Sequence, residues 1–222
     1  MSALVWDQTG ERLFETGVDH GVLFVYGTNS YGTGVSWNGL TAVNESPSGA
    51  EANPLYADNI KYLNLYSAEE FGATIEAYTY PDEWAACDGS ASLTTGVTVG
   101  QQSRKMFALS YRTKIGNDVD GSDHGYKIHI IYGARASASD KNYETINENP
   151  DAITFSWEIT TTPIEIGEGF KPASHIIIDS TKVDSTKLKD FEDYLYGTDG
   201  EGQAQGTTSA LPLPAKVIEL LG

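Results

Sequence analysis

The chain is poor in cysteine and in basic residues. Cys87 is its only cysteine, so no intrachain disulfide can form and no cysteine-based zinc site can be built, which fits a reducing compartment. Cys87 follows Trp84-Ala85-Ala86 and reads as a small core residue. Lys and Arg number 14 against 31 Asp and Glu, giving a formal net charge of −17. So few bases exclude binding to the nucleic-acid backbone, which needs Lys and Arg to neutralise phosphates, and adhesion to anionic membranes. No apolar run approaches the ~20 residues of a membrane span. The first ten residues lack both a basic stretch and an apolar stretch, so no secretory signal is expected.

Catalytic motifs are missing as well. The nearest approach to a nucleophile elbow, Gly34-Val35-Ser36-Trp37-Asn38, lacks the second glycine. Gly32-x-Gly34 is followed by Trp37, and Gly167-x-Gly169 by Pro172, where a phosphate loop wants glycine. Asp118-x-Asp120-Gly121-x-Asp123 suggests calcium, but the sixth and twelfth places hold Asp123 and His129 instead of Gly and Glu. A hairpin turn is the better reading. The four histidines, His20, His124, His129 and His175, show no helical zinc spacing and read as satisfied or solvated. His124 and His129 are oddly spaced on one expected strand and face opposite sides. Glu76 and Glu158 fall on the polar faces of two expected strands, where solvated acids are ordinary. No catalytic, cofactor or metal site is expected, and no enzyme. The 4 Trp, 13 Tyr and 7 Phe are read mainly as core and interface residues.

What is present is strand pattern. A chain of 222 residues fits one domain with a core large enough to need no staples. Val22–Tyr26 is a short apolar strand. Residues 27–59 are rich in Gly, Asn, Ser and Pro and read as a long turn-rich loop that a partner would order, crossed by short strands such as Gly34–Trp37. Strands follow at 60–66, 71–80, 105–113, 126–132, 153–162 and 175–179, most with period-two alternation. Ser185 is placed as the cap of a helix carrying Leu188, Phe191 and Leu195, closed by Gly197. Residues 197–210 read as a flexible loop, and Pro212 and Pro214 introduce a last short helix at 215–221. The expected fold is mainly β, a β-sandwich or half-barrel with one flanking helix and a short C-terminal helix. It is expected as a single domain over 1–222, with an N-terminal arm and a C-terminal segment from about 198.

Several blocks share a resemblance. Trp6-Asp7-Gln8-Thr9-Gly10-Glu11-Arg12 and Glu15–Leu23 come first. Trp37-Asn38-Gly39-Leu40, Tyr56–Leu63 and Ile75–Asp82 follow, then Phe155-Ser156-Trp157-Glu158 with Thr160-Thr161-Thr162-Pro163, and the closing Leu211-Pro212-Leu213-Pro214. In this order they resemble the major tail, or tail tube, proteins of long non-contractile-tailed phages and prophages of Gram-positive bacteria. The resemblance implies a structural virion protein, made in the bacterial cytoplasm, whose hexameric rings stack into the channel for DNA passage. Its implied partners are further copies of itself, a tape measure protein, and tail terminator and tip proteins. DNA would be unbound cargo. Relatives with an extra immunoglobulin-like domain differ from this chain, for which none is expected. On this reading Glu76 and Glu158 would face the lumen, and Tyr31, Trp37, Asn38, Leu40, Pro47 and Tyr56 would lie in a loop joining one ring to the next. A carbohydrate-binding module or tail-tip adhesin is the alternative.

Overall fold

The computed structural model describes residues 3–146, 148, 151–200 and 205–222. Strand β1 (Phe14–Val25) carries Val22, Leu23 and Phe24 into the interior. Its pairing slips near His20, whose φ is 52°, and near Gly17. The segment 27–59 holds the short strand expected near 34–37 and three more besides. It contains β2 (Val35–Trp37), β3 (Leu40–Glu45), β4 (Ser48–Gly49) and β5 (Ala52–Ala57). Turn-forming residues dominate its composition, yet Gly39 needs its positive φ of 77° to reverse the chain between β2 and β3. Trp37 then anchors the turn: it is 2% exposed and donates Nε1–H to the Thr79 carbonyl at 2.9 Å.

Beyond it, β6 (Ile60–Tyr66) pairs with β5, and β7 (Glu69–Glu70) pairs with β4. β8 (Gly72–Ala77) buries Ala73, Ile75 and Ala77 in strict alternation. Pro81 starts a 3-10 turn over Asp82–Trp84, which runs into α1 (Ala85–Asp88). The sequence reading omits this helix because four residues show no periodicity. It seats Trp84 and Cys87 in the core. Strands β9 (Ala91–Thr94) and β10 (Val97–Val99) form a small, mostly exposed hairpin in the small-residue, polar stretch that follows α1.

Strands β11 (Phe107–Asn117) and β12 (Gly121–Ala136) are the longest pairing, joined by the expected Asp/Gly turn. β13 (Phe155–Thr161) and β14 (His175–Asp179) both pair with β12, β13 at Ala134–Ala136 and β14 at Lys127–Ile131. Gly133 sits where β12 changes partner. Its φ is 62°, and a Cβ there would collide with the Thr162 carbonyl. Helix α2 (Ser185–Tyr196) is capped by Asp184, one residue before the expected Ser185: its carboxylate accepts from the Thr186 and Lys187 amides. β15 (Gly197–Thr198) pairs with β16 (Thr207–Thr208), and α3 (Pro214–Leu221) ends the chain. Residues 201–204 of the expected loop, and Met1 and Ser2 of the expected arm, lie outside the described residues.

Among the described residues 46% are in strands and 13% in helices, so the fold is mainly β, built on a large antiparallel sheet. The main order is β2-β1-β11-β12-β13-β8-β3, with β14 paired beside β12. The sheet curls until β3 approaches β1: a Cβ on Gly21 would strike Leu40 and the Trp37 carbonyl. Inside the curl lies one core, centred on Trp37, Trp84 and Trp157 with Phe107, Leu109 and Ile75. The indole rings pack at centroid distances of 4.6 to 5.7 Å. Truncating a tryptophan in such a core costs about 3–5 kcal/mol. A second core lies on the other face. There Ile128, Ile130 and Tyr132 meet Leu188, Phe191 and Leu195 of α2 and Val217 of α3.

Candidate functional site

Strands β5 and β6 form a two-stranded ribbon outside the main sheet. Asp58 and Asn59 turn it with left-handed φ values of 51° and 65°, the requirement of a tight type I′ hairpin. Leu55, Leu63 and Leu65 lie on one face, Tyr62 and Tyr66 on the other. All five are exposed, as are Tyr56 and Ile60 near the tip. An isolated hairpin is marginal in water, and so much apolar surface on a thin ribbon makes it the candidate interaction surface. The period-two pattern of 60–66 predicts a strand. The alternation is real, but nothing in the described residues covers either side.

The expected ring-joining residues separate. Asn38, Pro47 and Tyr56 are exposed. Trp37 is withdrawn into the core, and Leu40 is half-buried against it. Tyr31 is half-buried, its hydroxyl accepting from the Gly133 amide at 3.1 Å. The curl of the sheet explains this: β2 and β3 are its two edges, and their apolar side chains fill its interior.

Glu76 and Glu158 share one outward sheet face. Glu76 stands opposite Ser156 and Glu158 opposite Thr74, while Ile75 and Trp157 point the other way. Asn44 donates to Glu76 at 3.3 Å. The exposed Arg135, paired with Thr160, is a base on the same face.

Two carboxylates of the β11–β12 turn, Asp118 and Asp120, have local partners. In the 118–123 turn, Asn117 Oδ1 accepts from the Val119 amide at 3.0 Å, Asp118 accepts from Gly10, and Asp120 pairs with His124 at 3.0 Å. These carboxylates do not converge on one point. Cys87 is buried, and that burial, with Asp88 adding to it, pushes its thiol up to about 12.

One cluster was not legible from spacing. Glu45 at the end of β3, His129 in β12 and His175 in β14 converge where the sheet curls. Pairing of β12 with β14 sets His129 opposite Ile177 and His175 opposite Ile131, which makes the histidines diagonal neighbours. His129 Nδ1 is 3.2 Å from His175 Nε2 and 3.4 Å from Glu45 Oε1. His175 Nε2 is 3.8 Å from the same oxygen. Tyr111 stacks on His129 with ring centroids 4.6 Å apart and donates its hydroxyl to Glu45 at 2.7 Å. Thr113 Oγ1 lies 3.0 Å from His129 Nε2. Burial, reinforced by His175, pushes His129 down to about 4; burial also lowers His175, against the pull of Glu45. Both imidazoles are therefore neutral at pH 7. Three residues, 45, 129 and 175, were separated by too much chain for any motif to join them.

No protein-family model and no curated protein matches this chain.

Proposed function

We propose that this protein is a self-assembling tube subunit, the major tail protein of a long non-contractile phage or prophage tail. Its rings, hexameric by the resemblance, stack around a channel for DNA. Such a subunit is made in the bacterial cytoplasm and ends in the virion tail, alongside tape measure, terminator and tip proteins.

The observation that carries the reading is the β5–β6 hairpin. It exposes Leu55, Leu63 and Leu65 on one face and Tyr62 and Tyr66 on the other. A ribbon apolar on both sides suits insertion between neighbouring copies better than docking on one flat partner. Leu4, Val5 and Trp6 add a second exposed apolar segment near the N-terminus. The outward acids Glu76 and Glu158 suit a wall that DNA must pass without binding, since like charge repels phosphate.

Negative-stain microscopy tests this over rising protein concentration. The wild type is expected to form rings or tubes. A variant with residues 53–65 replaced by a short Gly/Ser turn is expected to keep its β circular dichroism and remain monomeric. A wild type that stays monomeric at every concentration and salt, or a variant that assembles equally well, would sink the proposal. Under the adhesin alternative, a glycan screen gives a hit that Tyr62→Ala abolishes.

A further inference from the structure

We propose that Glu45, His129 and His175 form a binding site for a zinc-class divalent transition-metal ion. Three donor atoms, His129 Nδ1, His175 Nε2 and Glu45 Oε1, define a triangle with sides of 3.2, 3.4 and 3.8 Å. Zinc bonds of ~2.1 Å in a tetrahedron place neighbouring ligand atoms about 3.4 Å apart. The triangle thus matches one face of that tetrahedron without rearranging the backbone. The donors, two imidazole nitrogens and one carboxylate oxygen, suit Zn²⁺, Co²⁺ or Ni²⁺, whereas calcium and magnesium demand oxygen shells.

Neighbouring side chains hold the three donor atoms in place. With His129 Nε2–H donated to Thr113 Oγ1, Nδ1 carries the lone pair that faces the other two donors. The Tyr111 hydroxyl orients the Glu45 carboxylate. Phe71 and Tyr111 wall the two imidazoles, with ring centroids at 4.6 Å in each case. The Glu45 side chain is 36% exposed, which gives an ion an entry path and leaves the fourth position to water.

Without metal, one proton between His129 Nδ1 and His175 Nε2 serves as an ordinary hydrogen bond. The ion replaces that contact and ties the end of edge strand β3 to β12 and β14. Residue 46, where the chain leaves toward the exposed hairpin, follows directly. The site stands whether or not the protein assembles into tubes.

The test uses the full chain, stripped with a chelator and titrated with Co²⁺. One equivalent is expected to produce the intense visible bands of four-coordinate cobalt, which Zn²⁺ then bleaches. Zinc is also expected to raise the Tm. Glu45→Gln, at a partly exposed position, is expected to keep the fold by circular dichroism and weaken metal affinity at least tenfold. His175→Gln is expected to do the same. His124→Gln, on the separate turn, is expected to leave affinity unchanged. Absence of saturable cobalt bands in the wild type would overturn the proposal. So would wild-type affinity in both folded Glu45→Gln and His175→Gln.

Discussion

Arg112 is held on two sides. Its guanidinium donates to both carboxylate oxygens of Asp19, at 2.8 and 3.2 Å, and lies 4.7 Å from the centre of the Tyr126 ring. Partial burial pushes the Asp19 carboxyl up, but the hydrogen bonds and charge of Arg112, with His20 adding to them, outweigh it and hold Asp19 below its ordinary value of 3.8. A depressed acid contributes stability that is complete above its unfolded value and is lost as pH falls through the folded one. Asp19→Asn is therefore expected to lower the Tm at pH 7, and the gap to wild type should shrink below pH ~4 as Asp19 protonates. Thermal melts at neutral and acid pH check this; a gap of constant size would contradict it. The pair joins positions 93 apart in the chain, and composition offers no hint of it. The same holds for Glu45, His129 and His175. Each residue type was visible, but their convergence depends on the register between β12 and β14 and on the curl that brings β3 round.

Elements with a strong period were legible. β8 and β13 alternate as their residues do, and Trp157 and Glu158 fall on the faces the pattern assigned. Helix α2 carries Leu188, Phe191 and Leu195 inward as spaced. The cap falls one residue before the expected one because Asp184 and Ser185 are both competent N-caps, and it is Asp184 that has the non-helical ψ of 133° and accepts from the Thr186 and Lys187 amides. Asp184→Ala is expected to cost about 1 kcal/mol, a Tm fall of roughly 2–4 °C for a chain this long. Ser185→Ala should leave the Tm within error. Equal losses from both variants would put the cap back at Ser185. The β5–β6 ribbon shows the limit of periodicity. An apolar–polar pattern reports that a strand exists, but burial needs a second layer, and in β5 and β6 every residue except Asn64 is exposed.

At the scale of the molecule, the net charge of −17 sets the terms of any association. Copies repel one another, and the self-assembly proposed above would have to overcome that field through apolar contact at the ribbon. Raising ionic strength from ~0.01 to ~0.15 M shortens the screening length from about 30 to about 8 Å. Assembly is therefore expected to start at lower protein concentration in higher salt, as light scattering would show. Assembly that weakens with added salt would mean that ion pairs, not apolar ribbons, hold the copies together. Duplex DNA at physiological salt is expected to show no measurable binding, since few bases are available to neutralise phosphate.

The amino-acid sequence by itself determined the charge, the lack of a recognisable catalytic motif, the mainly-β class and the inward faces of the regular strands. Those properties follow from composition and from the two- and 3.6-residue periods of the backbone, which are local. Only the tertiary structure decided that the turn-rich segment 27–59 contributes two edge strands to the main sheet, that Trp37 is core and not contact surface, and that both faces of the 52–66 ribbon are bare. It alone brought two histidines and a glutamate to within 3.8 Å of one another. Each of these rests on how far the sheet curls and which strand edges meet, and that is set by long-range packing of three tryptophans that no local pattern encodes.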